Sequence, residues 1–353
     1  MPRETIGPRE RVDRLPRIEE SAGENKEDFP PSIYCYMFPG QGSKIPEGMG
    51  QGLYDGSLAA RDVILQADQS LQFPLSKLIL NGLQEEDLMD TSKLQPVIFT
   101  LNMATLAALK EQLGDRMPNP EFVAGHSAAQ LGASVASGAV SLNDGFRLAR
   151  ERGRLMKKAS QESPGTMAAI LSLDPYALEH ICAETGVEIA NLNTDDQVVI
   201  SGDRLAVTRA ADLALLRGAR KAVLLPVSGA WHSSFMKNAQ AGFQKAISQI
   251  EFSDPKYPIV GNTTAGIITK AEAVKKELVI GMCMPVLWRD SVVEMTRRGV
   301  NRFIELGPNR ILSGLVKEIN KDVDVFPVNS FKATIDFADL LSQQPANRNP
   351  LSA

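Results

Sequence analysis

The 353-residue chain is 43% apolar and 23% charged, the balance of an ordinary globular protein, and is long enough for two domains or one large domain carrying an insertion. Its formal charge of −4 supplies no global basic field, which argues against nucleic acid as the main partner, and no apolar run has the length needed to span a bilayer. Three well-separated cysteines, Cys35, Cys182 and Cys283, lack metal-ligand spacing and read as reduced thiols of a cytoplasmic protein.

Residues 1–31 are rich in Arg, Glu, Asp and Pro without an apolar centre; they read as a flexible N-terminal extension, not a secretory signal. A first strand is predicted at Ile33–Phe38, stopped by Pro39-Gly40-Gln41-Gly42-Ser43. Helical patterns follow, among them Leu94–Leu109. A strand around Val123 then runs into Gly125-His126-Ser127 and a helix over Ala128–Ser137. Asn143 or Asp144 is expected to cap a further helix to about Ala159.

The next stretch reads as a unit of its own. Strands are predicted at Met167–Leu171, Val187–Asn193, Val198–Ser201 and Ala222–Pro226, with helices at Pro175–Glu184 and Leu205–Leu216. The order β-α-β-β-α-β is that of a ferredoxin-like subdomain, placed at 161–226 within a larger domain of 32–160 and 227–335. The larger domain resumes with a helix around Ser234–Ile250, strand Ile259-Val260, helix Ser291–Arg298, strand Arg302–Glu305 and helix Ile311–Ile319. Residues 336–353 are assigned to a C-terminal tail.

Ser127 is the candidate nucleophile. A glycine two positions earlier permits a tight strand-to-helix turn that lifts the hydroxyl out of the backbone, and the helix opening at Ala128 leaves N–H groups aimed at whatever the serine attacks. Ala129 stands where Gly-x-Ser-x-Gly has its second glycine, and a plain structural serine fits the local pattern as well. The search for a base is short, because the chain has three histidines. His126 precedes the serine and points away, and His180 lies mid-helix in the subdomain. His232 follows the last subdomain strand, in a Gly- and Ser-bearing loop at a domain junction, a natural place for a cleft.

Arg152 falls with Leu148, Leu155, Met156 and Ala159 on the apolar stripe of its helix. Arg147, Arg150 and Arg154 share a solvated face instead. A buried guanidinium must find an anion, either an internal carboxylate or a substrate.

Phe38-Pro39-Gly40-Gln41-Gly42-Ser43, Gly125-His126-Ser127, Arg152-Gly153, Gly165-Thr166-Met167-Ala168-Ala169, Pro226 through Ser234, and Glu305-Leu306-Gly307-Pro308 occur in that order. Together they resemble the malonyl-CoA:acyl carrier protein transacylase family, which includes acyltransferases serving polyketide synthases. The resemblance covers roughly residues 33–320. It implies an α/β-hydrolase-like core with a ferredoxin-like insertion, and ping-pong acyl transfer through a serine ester. It assigns the nucleophile to Ser127 and the general base and acid to His232, with the backbone carbonyl of Gly281, four residues before Pro285-Val286-Leu287-Trp288, orienting the imidazole. It places the oxyanion donors at the N–H groups of Gln41 and Ala128. It gives Arg152 to the free carboxylate of the malonyl group, with Gln41 and His126 also lining the acyl site.

The implied partners are malonyl-CoA and acyl carrier protein, with no cofactor, no metal and a monomeric enzyme. Arg217, Arg220 and Lys221 are a candidate patch for the acidic carrier or simply a solvated charge cluster. Where the family pattern has Gly-His-Ser-Leu-Gly-Glu, this chain has Gly-His-Ser-Ala-Ala-Gln, ending at Gln130. An acyl hydrolase using the same Ser127–His232 pair is the alternative activity, and a non-catalytic carrier-docking module is a third reading.

Overall fold

A computed structural model describes residues 31–42 and 45–343. The expected extension, but for its last residue, lies outside the described residues, as do Ser43, Lys44 and the last ten positions of the expected tail. Ten strands occur among the described residues: β1 (Tyr34–Phe38), β2 (Pro120–Gly125), β3 (Thr166–Leu171), β4 (Glu188–Leu192), β5 (Gln197–Gly202), β6 (Lys221–Leu224), β7 (Ile259–Val260), β8 (Ile267–Ile268), β9 (Arg302–Leu306) and β10 (Asp324–Val328).

They form two sheets. The larger has the order β10-β9-β1-β2-β7-β8 and is parallel except for the β7–β8 pair. Its central strand β1, Tyr-Cys-Tyr-Met-Phe, is buried along its whole length, as expected of a parallel strand covered on both faces. One face packs on helices Leu58–Leu71, Thr91–Leu113 and Leu142–Glu162; the other, around Cys35, Met37 and Phe303, packs on Trp288, Val292 and Leu315. The smaller sheet has the order β4-β5-β3-β6 and is antiparallel throughout. Helices Pro175–Thr185 and Arg204–Leu216 cover it through Leu178, Ile181, Val207 and Ala210.

Several boundaries differ from expectation, for local reasons. The helix bearing Arg152 begins at Leu142 and is capped by Ser141, not by Asn143 or Asp144: Ser141 Oγ accepts from the Asp144 N–H at 3.1 Å and donates to the Asp144 carboxylate at 2.7 Å. Strand β10 contains Pro327, which suits its edge position, since it pairs only with β9. The tail does not begin at 336. Helix Phe331–Gln343 runs through that position and buries Phe337 and Ala338.

Candidate active site

Parallel pairing brings three loops to one edge of the large sheet. Phe38 is in register with Gly125, and Val123 and Ala124 with Ile259 and Val260, so Gln41, Ser127 and Asn262 emerge side by side beyond the carboxyl ends of β1, β2 and β7. This is the edge at which open α/β sheets bind ligands. The first two loops touch closely. A Cβ at Gly40 would lie 2.3 Å from the His126 carbonyl oxygen, and one at Gly125 would lie 2.1 Å from that of Ala129, so glycine is required at both. Ala129 itself has ordinary helical backbone angles, φ −78° and ψ −2°, and needs no glycine.

Ser127 sits at the apex of that turn with φ 55°, a left-handed conformation that costs a non-glycine residue about 1–3 kcal/mol. The strain is held by hydrogen bonds. The Ser127 N–H donates to Asn262 Oδ1 at 2.7 Å, and Asn262 Nδ2 donates to the Gly125 carbonyl at 2.7 Å and to Gln130 Oε1 at 3.0 Å. Gln130 Oε1 also accepts from the Gly125 N–H at 3.2 Å, while its Nε2 donates to the Val260 carbonyl at 2.9 Å.

The Ser127 hydroxyl lies 2.7 Å from His232 Nε2. On the far side of the ring, Nδ1 faces the carbonyl oxygens of Gly281 at 2.8 Å and Met284 at 3.1 Å. Two carbonyls can only accept, so they fix the proton on Nδ1 and leave the Nε2 lone pair turned to the serine. His232 is 4% exposed. Burial, the Arg152 charge and His126 together push its pKa down to about 3 against the pull of the two carbonyls, so the imidazole is neutral at physiological pH. A neutral imidazole hydrogen-bonded to a hydroxyl is the arrangement that generates an alkoxide nucleophile.

Arg152 is also buried, 4% exposed, on the apolar face of its helix, as expected. No carboxylate pairs with it among the described residues, and burial pulls its pKa down to about 10. Its Nη1 donates to Gln95 Oε1 at 2.8 Å. Gln95 Nε2 in turn donates to Thr91 Oγ1 at 2.8 Å, and Thr91 Oγ1 donates to Gln41 Oε1 at 3.0 Å. Ser127 and Arg152 line one small cavity, together with Asn262 and Gly281. A buried cation with no carboxylate partner among the described residues thus lies close to an activated serine.

The remaining expected residues divide. Among the described residues no acceptor faces the N–H of Gln41 or of Ala128, although the neighbouring Ser127 and Ala129 N–H groups are both occupied. His126 turns away from Ser127, with Nε2 3.1 Å from Asn193 Oδ1 in the small-sheet region and its ring stacked at a tilt on Trp288, 5.6 Å between centroids. The Arg217 guanidinium in the candidate carrier patch, though exposed, is bound to Glu184 at 2.7 Å, while the exposed Arg220 and Lys221 form no ion pair among the described residues. Sequence reasoning missed Asn262, Gln95 and the Met284 carbonyl. Asn262 in Gly-Asn-Thr-Thr reads as turn chemistry, and its partner Ser127 is 135 residues away. Gln95, one turn into a long helix, carried no signal beyond burial.

The family model for the acyl transferase domain matches residues 35–333. The chain is 37% identical over 312 residues to the malonyl CoA-acyl carrier protein transacylase of Bacillus subtilis, covering 87% of this chain and 96% of that one. Its fold superposes with a TM-score of 0.82 on the crystal structure of an acyl-carrier-protein-S-malonyltransferase from Bartonella henselae, 34% identical, over 88% of this chain and 99% of the other. A TM-score of 0.83 at 32% identity, over 88% of this chain and all of the other, relates it to a malonyl-transacylase in complex with its type II PKS acyl-carrier protein. With loops, sheet and sequence in agreement over this much of its length, the chain belongs to the acyl transferase domain family and, within it, to the malonyl CoA-acyl carrier protein transacylases.

Proposed function

We propose that this protein transfers a malonyl group from malonyl-CoA to the phosphopantetheine thiol of an acyl carrier protein, by a ping-pong route through an ester on Ser127. The observation that carries this reading is Arg152: a buried guanidinium with no carboxylate partner among the described residues, sharing a cavity with the Ser127 hydroxyl. A bidentate arginine suits the free carboxylate of a dicarboxylic acyl group and has no use for an acetyl or long alkyl chain.

In the first half-reaction His232 Nε2 takes the Ser127 proton as Oγ attacks the thioester carbonyl. The Gln41 and Ala128 N–H groups stabilise the resulting oxyanion; losing one such donor costs about 100- to 1000-fold in rate. The imidazolium then gives its proton to the departing CoA thiolate. In the second half-reaction the same nitrogen takes the proton of the carrier thiol, which attacks the ester, and returns it to Ser127. Gly281 and Met284 orient the ring throughout, in place of a triad carboxylate. These groups complete the chemistry with no cofactor or metal.

We read the large sheet and its helices, within 32–160 and 227–335, as an α/β-hydrolase-like core. The small sheet, within 161–226, is read as a ferredoxin-like subdomain, a reading its strand order supports. No helix among the described residues is long and apolar enough to cross a membrane. The three free thiols suit the reducing cytoplasm, and we read the enzyme as a monomer.

The test is intact-protein mass spectrometry. Malonyl-CoA is expected to leave a malonyl adduct that Ser127→Ala abolishes and added carrier protein clears. An adduct that decays as fast without carrier would assign the hydrolytic alternative instead.

A further inference from the structure

Glu277 lies in helix Ala271–Ile280 and is 6% exposed. Among the described residues no cation pairs with its carboxylate, which would be costly to bury without other partners. Both oxygens are spent on one residue: Oε1 accepts from the Thr263 N–H at 2.8 Å and Oε2 from the Thr263 hydroxyl at 2.7 Å. Thr263 follows Asn262, whose amide holds the strained Ser127 turn by its N–H and by the Gly125 carbonyl. At the same time the main-chain carbonyl of Glu277 accepts from the Gly281 N–H at 2.9 Å, and the Gly281 carbonyl holds His232 Nδ1.

We propose that Glu277 is a positioning residue that fixes the Ser127 turn and the His232 carbonyl acceptors relative to one another. Its side chain grips the Asn262-Thr263 segment and its main chain ends the helix that presents Gly281. One residue thus ties together the two supports on which the 2.7 Å Ser127–His232 contact rests. Glu277 also lines the small cavity shared by Ser127 and Arg152.

The inference rests on Ser127 and His232 being the reacting pair, and its test is chosen to separate the two. A fluorophosphonate probe reports serine activation without any malonyl group. Wild type is expected to label at Ser127 alone; absence of labelling would overturn the pair and the inference together. Glu277→Ala is expected to label about 10- to 100-fold more slowly, the range set by a displacement of about 1 Å at a reacting centre. Thr263→Val, which keeps only the N–H bond, should fall between, and Glu277→Gln, whose amide can accept from the N–H and donate to the hydroxyl oxygen, should stay nearer wild type. In malonyl transfer the loss should appear in kcat with KM unchanged.

¹⁵N spectra of the His232 ring should show the single Nδ1-protonated tautomer in wild type and a mixture in Glu277→Ala. The control is Glu305→Gln, a buried carboxylate that instead binds the N–H groups of Leu312 and Ser313; it should lower Tm and leave the labelling rate alone. Unchanged labelling in folded Glu277→Ala, or losses in Glu277→Ala and Thr263→Val no greater than in Glu305→Gln at equal loss of Tm, would overturn the inference.

Discussion

Burial and two nearby cationic or ionisable groups hold the His232 pKa near 3, well under the usual histidine value of about 6.5. Because catalysis needs the neutral ring, acylation of Ser127 should stay flat from pH 8 to pH 5 as far as this group is concerned. The same shift makes stability depend on pH. Above about 6.5 the folded and unfolded chains both carry a neutral ring; below it the unfolded chain binds a proton that the folded site refuses. Stability is therefore lost as pH falls from about 6.5 toward 3, by ~2 kcal/mol between pH 7.5 and pH 5. His232→Gln should remove that part of the slope in urea unfolding curves. His126, whose pKa burial also lowers, keeps a slope of the same sign. Arg152→Ala is expected to slow acylation by malonyl-CoA about 100-fold, the equivalent of a charge-assisted hydrogen-bonding pair, and to slow acetyl-CoA far less. Removing its charge also raises the His232 pKa, so the acid limb of the variant should move to higher pH.

At the level of the element, the turn between β2 and its helix is set by Gly125, whose need was legible, and by Gln130 and Asn262, whose roles were not. Gln130 stands where the family pattern has glutamate, which by charge alone removes a negative group from the first helical turn. In the fold its amide donates to the Val260 carbonyl, which a carboxylate cannot do. Gln130→Glu is therefore expected to cost about 1–3 kcal/mol, the penalty for an unpaired buried polar group, read as a lower Tm with near-normal amide hydrogen exchange elsewhere. Strands such as β1 and β9, and helix Ile311–Ile319, were legible because apolar runs and glycine or proline stops are local signals. Likewise Arg152 betrayed itself by sitting on an apolar stripe. Asn262 and Gln95 were hidden because each is defined by a partner far off in sequence, and Glu277 because helix Ala271–Ile280 with its mixed charges offered no clean periodicity.

The small-sheet region is joined to the rest by backbone as well as by side chains. Strand β4, at one edge of its sheet, exchanges hydrogen bonds with Val286: the Leu192 N–H donates to the Val286 carbonyl and the Val286 N–H to the Ala190 carbonyl, both at 2.9 Å. Thr194 donates to Glu318 at 2.6 Å, and Glu188 accepts from the Ser234 N–H and hydroxyl. A hinged lid would open at low cost. Here the amides of Leu192 and Val286 are expected to exchange as slowly as those of β1 and β2, in a single cooperative unit; faster exchange at these two positions would show independent opening. Val286 lies two residues after Met284, which shares His232 Nδ1 with Gly281. Anyone exchanging this region between relatives, to change which carrier protein is served, would cut through that joint. Such a chimera needs segment 281–287 to travel with residues 161–226, or the host's His232 will lose the carbonyls that orient it.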